Sequence, residues 1–196
     1  MSGRTSEIVL VRHGETEWSK AGRHTGRTNV PLTEQGRREA EAVGAALRER
    51  QFALVLTSPL ARAAETCRLA GLAERAVARD ELQEWDYGEY EGRKTIDIRR
   101  EHPGWTVWSD VPGGETLAEV GARADRVLEE LREATGDVAV FAHGHLLRVL
   151  AARWLGLEPG AGRLLALDPG SISVLGYERE TAVLRSWNTR PNGGLA

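Results

Sequence analysis

The chain is poor in cysteine and in long apolar runs, and each shortage excludes a class of protein. Cys67 is the only cysteine, which excludes an intramolecular disulfide and a thiolate metal cluster; we expect it to pack in the core. No stretch of about 18 apolar residues occurs, and the first six residues hold no apolar signal, which predicts a cytoplasmic protein away from membranes. No basic stripe interleaved with aromatic residues occurs, so no nucleic acid partner is expected.

The remaining composition is typical of one globular domain, predicted to span residues 1–196. Hydrophobic residues make up 41%, charged residues 28%, and the net charge is −3. Apolar runs predict strands near 7–12, 52–56, 76–79, 137–142, 171–177 and 181–187, the last two forming a hairpin. Helices are predicted to begin after Thr33 and to lie near 60–70, 95–102, 116–134 and 145–155.

This alternation of strands and helices predicts an α/β fold, a three-layer sandwich with a mostly parallel sheet flanked by helices. The segment from about 85 to 115 differs in composition, since it holds Trp85, Trp105 and Trp108 together with Pro103 and Pro112. We interpret it as a small insertion over the C-terminal edge of the sheet. Its Trp105 and Trp108 could line a substrate entrance or only pack the insertion itself.

Two predicted strands end in a histidine beside a glycine. The run Ile8–Val11 leads into Arg12-His13-Gly14, and the run Val138–Ala142 leads into His143-Gly144-His145. Ligands of open α/β sheets bind outside the carboxyl ends of the strands. A guanidinium beside an imidazole at that edge is suited to bind a phosphoryl group and to attack it.

Six elements in order make the chain resemble the histidine phosphatase superfamily, with its phosphoglycerate-mutase-like fold, over about residues 7–187. They are Arg12-His13-Gly14, Thr25-Gly26 with Pro31-Leu32-Thr33…Gly36, Thr57-Ser58-Pro59…Arg62-Ala63…Thr66, Glu84 before Tyr87-Gly88, Gly114-Glu115-Thr116, and His143-Gly144. The stretches Trp18-Ser19-Lys20, Glu84–Gly92 and His143–His145 are similar to the phosphatase branch with sugar bisphosphatases and broad acid-type phosphatases.

The resemblance implies a role for each strand-end residue. His13 would be the nucleophile, since imidazole is largely neutral near pH 7 and forms a labile phosphoramidate. Arg12 and Arg62 would hold the equatorial oxygens of the phosphoryl group without a metal or other cofactor. Arg62 is predicted in the first turn of a helix, where a cation costs about 0.3–1 kcal/mol, so its position favours a function. His143 would hydrogen-bond the phosphoryl group from the opposite side, as a cation when phosphate is bound.

Glu84 is the candidate general acid, which would protonate the leaving alcohol and then activate water. Trp85 and Tyr87 flank it, and apolar surroundings favour the protonated form of a carboxyl group. Without the resemblance, a solvated glutamate in an acidic stretch is the simpler interpretation.

The predicted substrate contacts come from Thr25 and Gly26, through loop N–H or hydroxyl groups, and from Tyr87 and His145. Glu15 and Thr116 are expected to support the pocket. His24 and His102 are expected to be surface residues.

Three alternatives stand against a phosphatase acting on small phosphorylated metabolites such as sugar (bis)phosphates. A metal site on His13, His143 and His145 is disfavoured, because no carboxylates cluster beside them in sequence. A phosphoglycerate mutase is disfavoured because Ser19, Trp85 and His145 depart from that branch and because the cover from Tyr90 to Gly114 is short. A non-catalytic phospho-ligand-binding protein is disfavoured because no catalytic residue is missing. A homodimer is consistent with the family.

Overall fold

The computed structural model describes residues 6–109 and 111–191. Its six strands are β1 (Ile8–Arg12), β2 (Leu54–Thr57), β3 (Ala76–Ala78), β4 (Val138–Ala142), β5 (Ile172–Glu178) and β6 (Thr181–Thr189). Its α-helices are α1 (Glu17–Lys20), α2 (Glu34–Leu47), α3 (Ala61–Leu69), α4 (Thr95–Glu101), α5 (Leu117–Glu133) and α6 (Gly144–Trp154). The expectation about the N-terminal signal concerns a segment whose first five residues lie outside the described ranges.

The strands form one sheet in the order β3-β2-β4-β1-β5-β6. The first four strands of that order are parallel, while β5 is antiparallel to β1 and β6 is antiparallel to β5. Arg12 of β1 lies opposite Ala142 of β4, and Thr57 of β2 lies opposite Phe141. The residues after these strands, His13, His143 and Ser58, therefore meet at one edge.

Alternate side chains of each central strand pack on opposite faces of the sheet, as the twofold repeat of a strand requires. Ile8 and Leu10 join a core cluster with α5 and α6. Val9 and Val11 join a second cluster with α2 and with Cys67 of α3, which is fully buried as expected. Helices thus cover both faces, and the predicted three-layer α/β fold with a mostly parallel sheet is confirmed.

Side-chain caps mark the start of several helices. The Thr33 side chain caps α2 by accepting the N–H of Gly36, and Thr116 caps α5 with Glu119 in a reciprocal box. The second strand begins at Leu54 rather than at the predicted residue 52, since Phe52 packs in the core before the strand starts. No helix in the described ranges is long and apolar enough to cross a membrane.

Hydrogen bonds join the two ends of the segment 85–115 to each other. The N–H of Asp86 donates to the Glu115 carboxylate, and the N–H of Glu115 donates to the Asp86 carbonyl. Arg123 of α5 binds the same carboxylate with two hydrogen bonds of 2.8 Å and also donates to the carbonyls of Glu81 and Gln83. This network fixes the chain on both sides of Glu84.

Candidate active site

A cavity of about 200 Å³ opens beside the carboxyl ends of β1 and β4. Six of the nine site residues predicted from the sequence line it, namely Arg12, His13, Thr25, Glu84, Tyr87 and His145. The other three, Arg62, His143 and Gly26, lie directly behind these. The structure therefore brings the whole predicted set together.

His13 is buried and held in one orientation. Its Nδ1–H donates to the carbonyl of Gly14 over 2.8 Å, which leaves the lone pair on Nε2. Burial, with the charges of Arg62 and Arg12, holds the pKa of His13 well below its usual range. At pH 7 this imidazole is neutral, as a nucleophile must be.

Gly14 lets the loop after β1 approach α2 closely. A Cβ on Gly14 would lie 2.2 Å from the carbonyl oxygen of Gly36, so neither a larger residue nor a looser turn fits here. The Gly36 of the predicted helix start is needed for the same contact. These glycines fix the position of the peptide that orients His13.

Arg62, in the first turn of α3, is fully buried and points at His13. Its Nε–H donates to Nε2 of His13 over 3.3 Å, the atom that would carry a phosphoryl group. Its other nitrogens donate to three loop carbonyls, those of Thr25, Gly26 and Thr28, over 2.8–3.0 Å. Burial lowers the pKa of Arg62, and the nearby Glu84 opposes that shift.

His143 lies with its ring centroid 5.2 Å from that of His13. Its Nε2 hydrogen-bonds the hydroxyl of Ser58 over 2.8 Å, while its buried Nδ1 has no partner within the described ranges. Burial and the charge of Arg62 hold the pKa of His143 well below its usual range, so it is neutral in this site. Added negative charge between the two histidines would favour its cation.

Arg12 lies against the first turn of α6. A Cβ on Gly144 would come within 3.2 Å of the guanidinium carbon, so the glycine allows this approach. One terminal nitrogen donates to the carbonyl of Leu167, and Nε is buried without a partner in the part of the chain that the structure describes. An unpaired buried donor beside the His13 imidazole is suited to bind an anionic ligand.

Glu84 is buried at the N-terminus of α6. Its carboxylate accepts the N–H groups of Trp85, His145 and Leu146 over 2.9–3.0 Å. Backbone donors therefore hold this carboxylate on two sides, from the adjacent Trp85 and from the first turn of α6. The indole N–H of the buried Trp85 donates to the Glu115 carbonyl over 2.8 Å, which fixes the orientation of this ring.

The far wall of the cavity is aromatic and neutral. The hydroxyl of Tyr87 and Nδ1 of His145 are 2.6 Å apart. Burial raises the pKa of Tyr87 and lowers that of His145, so both are uncharged near pH 7. Trp108 packs edge-on against His145 with ring centroids 5.5 Å apart, whereas Trp105 is buried in the core cluster.

His24 corrects one prediction. It is not a surface residue: it lines the cavity, with its ring 5.1 Å from that of Tyr87 and 5.4 Å from that of Trp105. Its Nε2 hydrogen-bonds Thr95 of the insertion, and burial lowers the pKa of His24 to about 4. The exposed position predicted for His102 is confirmed.

Gly26 corrects another prediction. Its N–H was expected to face substrate, but it donates to the carboxylate of Glu91. The hydroxyl of Thr25 donates to the Arg23 carbonyl over 3.3 Å. This loop therefore holds Arg62 through its carbonyls. Glu15 and Thr116 act as the predicted supports, binding Thr33 and capping α5 respectively.

Besides His24, the sequence patterns did not indicate that Ser58, Arg148 and Arg23 belong to the site. Ser58 follows β2 just as His13 follows β1, and this position at a strand end could have indicated that it lies in the site. Arg148 lines the cavity with its guanidinium 4.8 Å above the Trp108 ring, and it donates to the carbonyl of Gly162. Arg23, at the rim, donates to the Gly92 carbonyl. Neither of these two arginines could be placed from the sequence pattern.

The lining is rich in cations and, among the residues that the structure describes, contains one carboxylate, that of Glu84. Within the described ranges, no three histidine, cysteine or acidic side chains are grouped as metal ligands would be. Arginines around a neutral imidazole with a free ring nitrogen are suited to phosphoryl transfer, which depends on positioning and on charge stabilisation. The fold and the site thus define a class of α/β protein built to handle phosphoryl groups.

Comparison with known proteins specifies the family. Residues 8–190 match the histidine phosphatase superfamily (branch 1), and the chain belongs to that family. An acid phosphatase of Mycobacterium tuberculosis is 42% identical over 192 residues, which cover 94% of each chain. A sedoheptulose 1,7-bisphosphatase of Saccharomyces cerevisiae is 37% identical over 80% of this chain and 70% of its own, and proteins named phosphoglycerate mutase are also relatives. The solved structure of a Mycobacterium tuberculosis open reading frame superposes with a TM-score of 0.91 at 39% identity, covering 96% of this chain and all of that one.

Proposed function

We propose that the protein is a metal-independent phosphomonoester hydrolase that acts through a phosphohistidine intermediate on small phosphorylated metabolites such as sugar (bis)phosphates. The observation that carries the proposal is the geometry at His13. Its Nδ1–H is held by the Gly14 carbonyl, and its Nε2 faces Nε–H of Arg62 over 3.3 Å. A phosphoryl group bonded to Nε2 would accept the hydrogen bond from Nε–H of Arg62.

In the first step, the Nε2 lone pair of His13 attacks phosphorus. The N–P bond forms as the bond to the leaving oxygen breaks, and Glu84 gives that oxygen a proton. Arg12 and Arg62 stabilise the equatorial oxygens, and the bound negative charge favours the cationic form of His143.

In the second step, Glu84 accepts a proton from a water molecule whose oxygen attacks phosphorus. The N–P bond breaks, its electron pair returns to Nε2, and inorganic phosphate is released, the alcohol having left in the first step. Water needs access to this centre, and the cavity is open at its rim beside the exposed Arg23.

The far wall supports a small polar leaving group. Tyr87, His145 and His24 are neutral near pH 7 and offer hydroxyl and ring nitrogen atoms, which suit the hydroxyl groups of a sugar. A cavity of about 200 Å³ fits a metabolite rather than a folded protein segment. Arg148 adds one positive charge at this end, which suits a second anionic group.

The test is phosphate release in EDTA from a panel of sugar bisphosphates, 3-phosphoglycerate and p-nitrophenyl phosphate. We expect release by the intact protein, trapping of label on His13 after an acid-free quench, and loss of roughly four orders of magnitude or more in His13→Ala. His102→Ala, which removes an exposed histidine, should keep full activity. Release that survives His13→Ala would overturn the proposal, and conversion of 3-phosphoglycerate to its 2-isomer without net release would identify a mutase instead.

A further inference from the structure

Glu91, a residue of the insertion, binds the loop behind the cavity. Its carboxylate accepts the N–H of Gly26 with both oxygens over 3.0 Å, and the N–H of Thr28 over 3.1 Å. The exposed Glu89, two residues earlier, lies on the same turn. Glu91 is thus the acidic side chain of this turn that reaches the loop.

The same loop peptide binds Arg62 on its other side. The N–H of Gly26 and the carbonyl of Thr25 belong to one peptide unit, and that carbonyl accepts from Arg62 over 3.0 Å. The peptide therefore lies between an anion at its N–H end and a cation at its carbonyl end. Both charges favour this orientation of the peptide dipole, and each strengthens the hydrogen bond of the other.

Gly26 is the residue type that this arrangement requires. A Cβ at position 26 would lie 2.6 Å from Oε2 of Glu91 and 2.6 Å from the carbonyl oxygen of Trp85. Only a glycine lets the carboxylate approach the N–H so closely. This contact explains the glycine at position 26, while Thr25 lines the cavity.

The backbone beside Glu91 is fixed to the same loop. The N–H of Gly92 donates to the His24 carbonyl over 2.8 Å, and the N–H of His24 donates to the Arg93 carbonyl over 2.9 Å. Arg23 and Lys94 form an isolated antiparallel bridge next to them. Glu91 is therefore a rigid support, and its effect on the loop passes directly to Arg62.

We propose that Glu91 is a positioning residue, which holds Arg62 in place against Nε2 of His13 by way of the Thr25–Gly26 peptide. The inference rests on the proposed function, because it assigns to Arg62 the binding of the transferred phosphoryl group. The Nε–H of Arg62 meets Nε2 over 3.3 Å only while the loop carbonyls hold the rest of the guanidinium. Glu91 itself need not touch substrate.

The experiment compares Glu91→Ala with Glu89→Ala, which removes the same charge from the exposed neighbour. We expect Glu91→Ala to lower kcat/KM by about tenfold to a hundredfold, the usual cost of losing a support behind a binding residue. Inhibition by inorganic phosphate should weaken in parallel, since Arg62 binds the phosphoryl group. Glu91→Gln should recover most of the activity, because its Oε1 can still accept both N–H groups. Activity of Glu91→Ala equal to that of Glu89→Ala would overturn the proposal.

A double-mutant cycle separates positioning from general loss of structure. In an Arg62→Ala background, Glu91→Ala should cost little more, because Glu91 acts through the missing guanidinium. Multiplicative losses would show that Glu91 acts independently, and the inference would be wrong. If Glu91→Ala does not fold, Glu91→Asp serves, since it keeps the charge but withdraws the carboxylate; full activity there would overturn the inference. Activity that does not depend on His13 would instead reject the proposed function, whatever Glu91 does.

Discussion

The two ends of the cavity are built in different ways. The phosphate end consists of Arg12, which ends β1, of His13 and His143, which follow β1 and β4, and of Arg62 in the first turn of α3. Apart from His145 and Arg148 of α6, the far end consists of loop and insertion residues, with the His24 ring tilted against that of Tyr87 and hydrogen-bonded to Thr95. The first end carries guanidinium charge around neutral imidazoles, and the second presents mostly neutral rings.

This difference suggests a division of work between the two ends. Strand ends are held by the ladder of the sheet and by both core clusters, so they keep the geometry that the chemistry needs. The far end is held by side-chain contacts between segments distant in the sequence, and such contacts can change without disturbing the sheet. We infer that the phosphate end sets the reaction and that the far end sets the choice of substrate.

Glu84 lies between the two ends of the cavity. Of the substitutions that test the difference between these ends, Glu84→Gln should have the largest effect, because it removes the proposed proton donor. In Glu84→Gln we expect kcat/KM to fall by about a hundredfold or more for an alkyl phosphate such as glycerol phosphate. The loss should be much smaller for p-nitrophenyl phosphate, whose leaving group needs no proton. The measurement is the ratio of the two losses within one variant.

Because both losses are measured in the same variant, structural damage that slows both substrates equally does not change their ratio. The amide that replaces the Glu84 carboxylate would place N–H groups against the N–H donors of α6, which disturbs the helix start for both substrates equally. Equal losses on the two substrates would remove the acid role from Glu84 and leave it as a cap of α6.

A smaller effect is expected at the far end from Tyr87→Phe. The change removes the hydroxyl that hydrogen-bonds Nδ1 of His145 over 2.6 Å and keeps the ring. The loss of one hydrogen bond, about 1 kcal/mol, should raise KM about fivefold for a sugar phosphate, with kcat little changed. Hydrolysis of p-nitrophenyl phosphate should change less, because its leaving group has no sugar hydroxyls to recognise.

Tyr90→Phe provides the matched control, since Tyr90 lies in the same turn but packs on Trp105 in the core. If Tyr87→Phe lowers kcat equally for both substrates, the far end takes part in the chemistry and the division of work is wrong.

The same difference explains what could be predicted from the sequence. His13 and His143 follow buried apolar runs, and the carboxyl ends of neighbouring parallel strands must meet, so their proximity was predictable. Glu84, Arg62 and Tyr87 follow no such rule, and their place in the site was predicted from the family motifs alone. The resemblance could order these motifs but could not show their contacts.

His24 and Glu91 could not be placed from the sequence for a physical reason. Each depends on a partner roughly 65–71 residues away in the chain, Thr95 for His24 and Gly26 for Glu91. Loops have no hydrophobic period that would set which segments meet. The use of the Gly26 N–H by Glu91 likewise follows from packing of the insertion, so a substrate contact was the natural but wrong expectation.

The smallest expected effect concerns stability, and it tests whether His24 belongs to the buried far wall. The pKa of His24 is lowered to about 4 by burial, so the folded protein leaves it neutral where the unfolded chain, with an ordinary pKa near 6.5, binds a proton. This contribution to stability is present above pH 6.5 and is lost as the pH falls from 6.5 towards 4. His13, His143 and His145 have lowered pKa values as well, and their contributions change in the same direction.

We therefore expect His24→Gln to reduce the fall in unfolding free energy between pH 7 and pH 5 by about 1 kcal/mol, measured by urea denaturation. His102→Gln, at an exposed position, should follow the wild-type dependence. If the curves of His24→Gln and the wild type run parallel, the ring is open to solvent and the far wall ends at Tyr87.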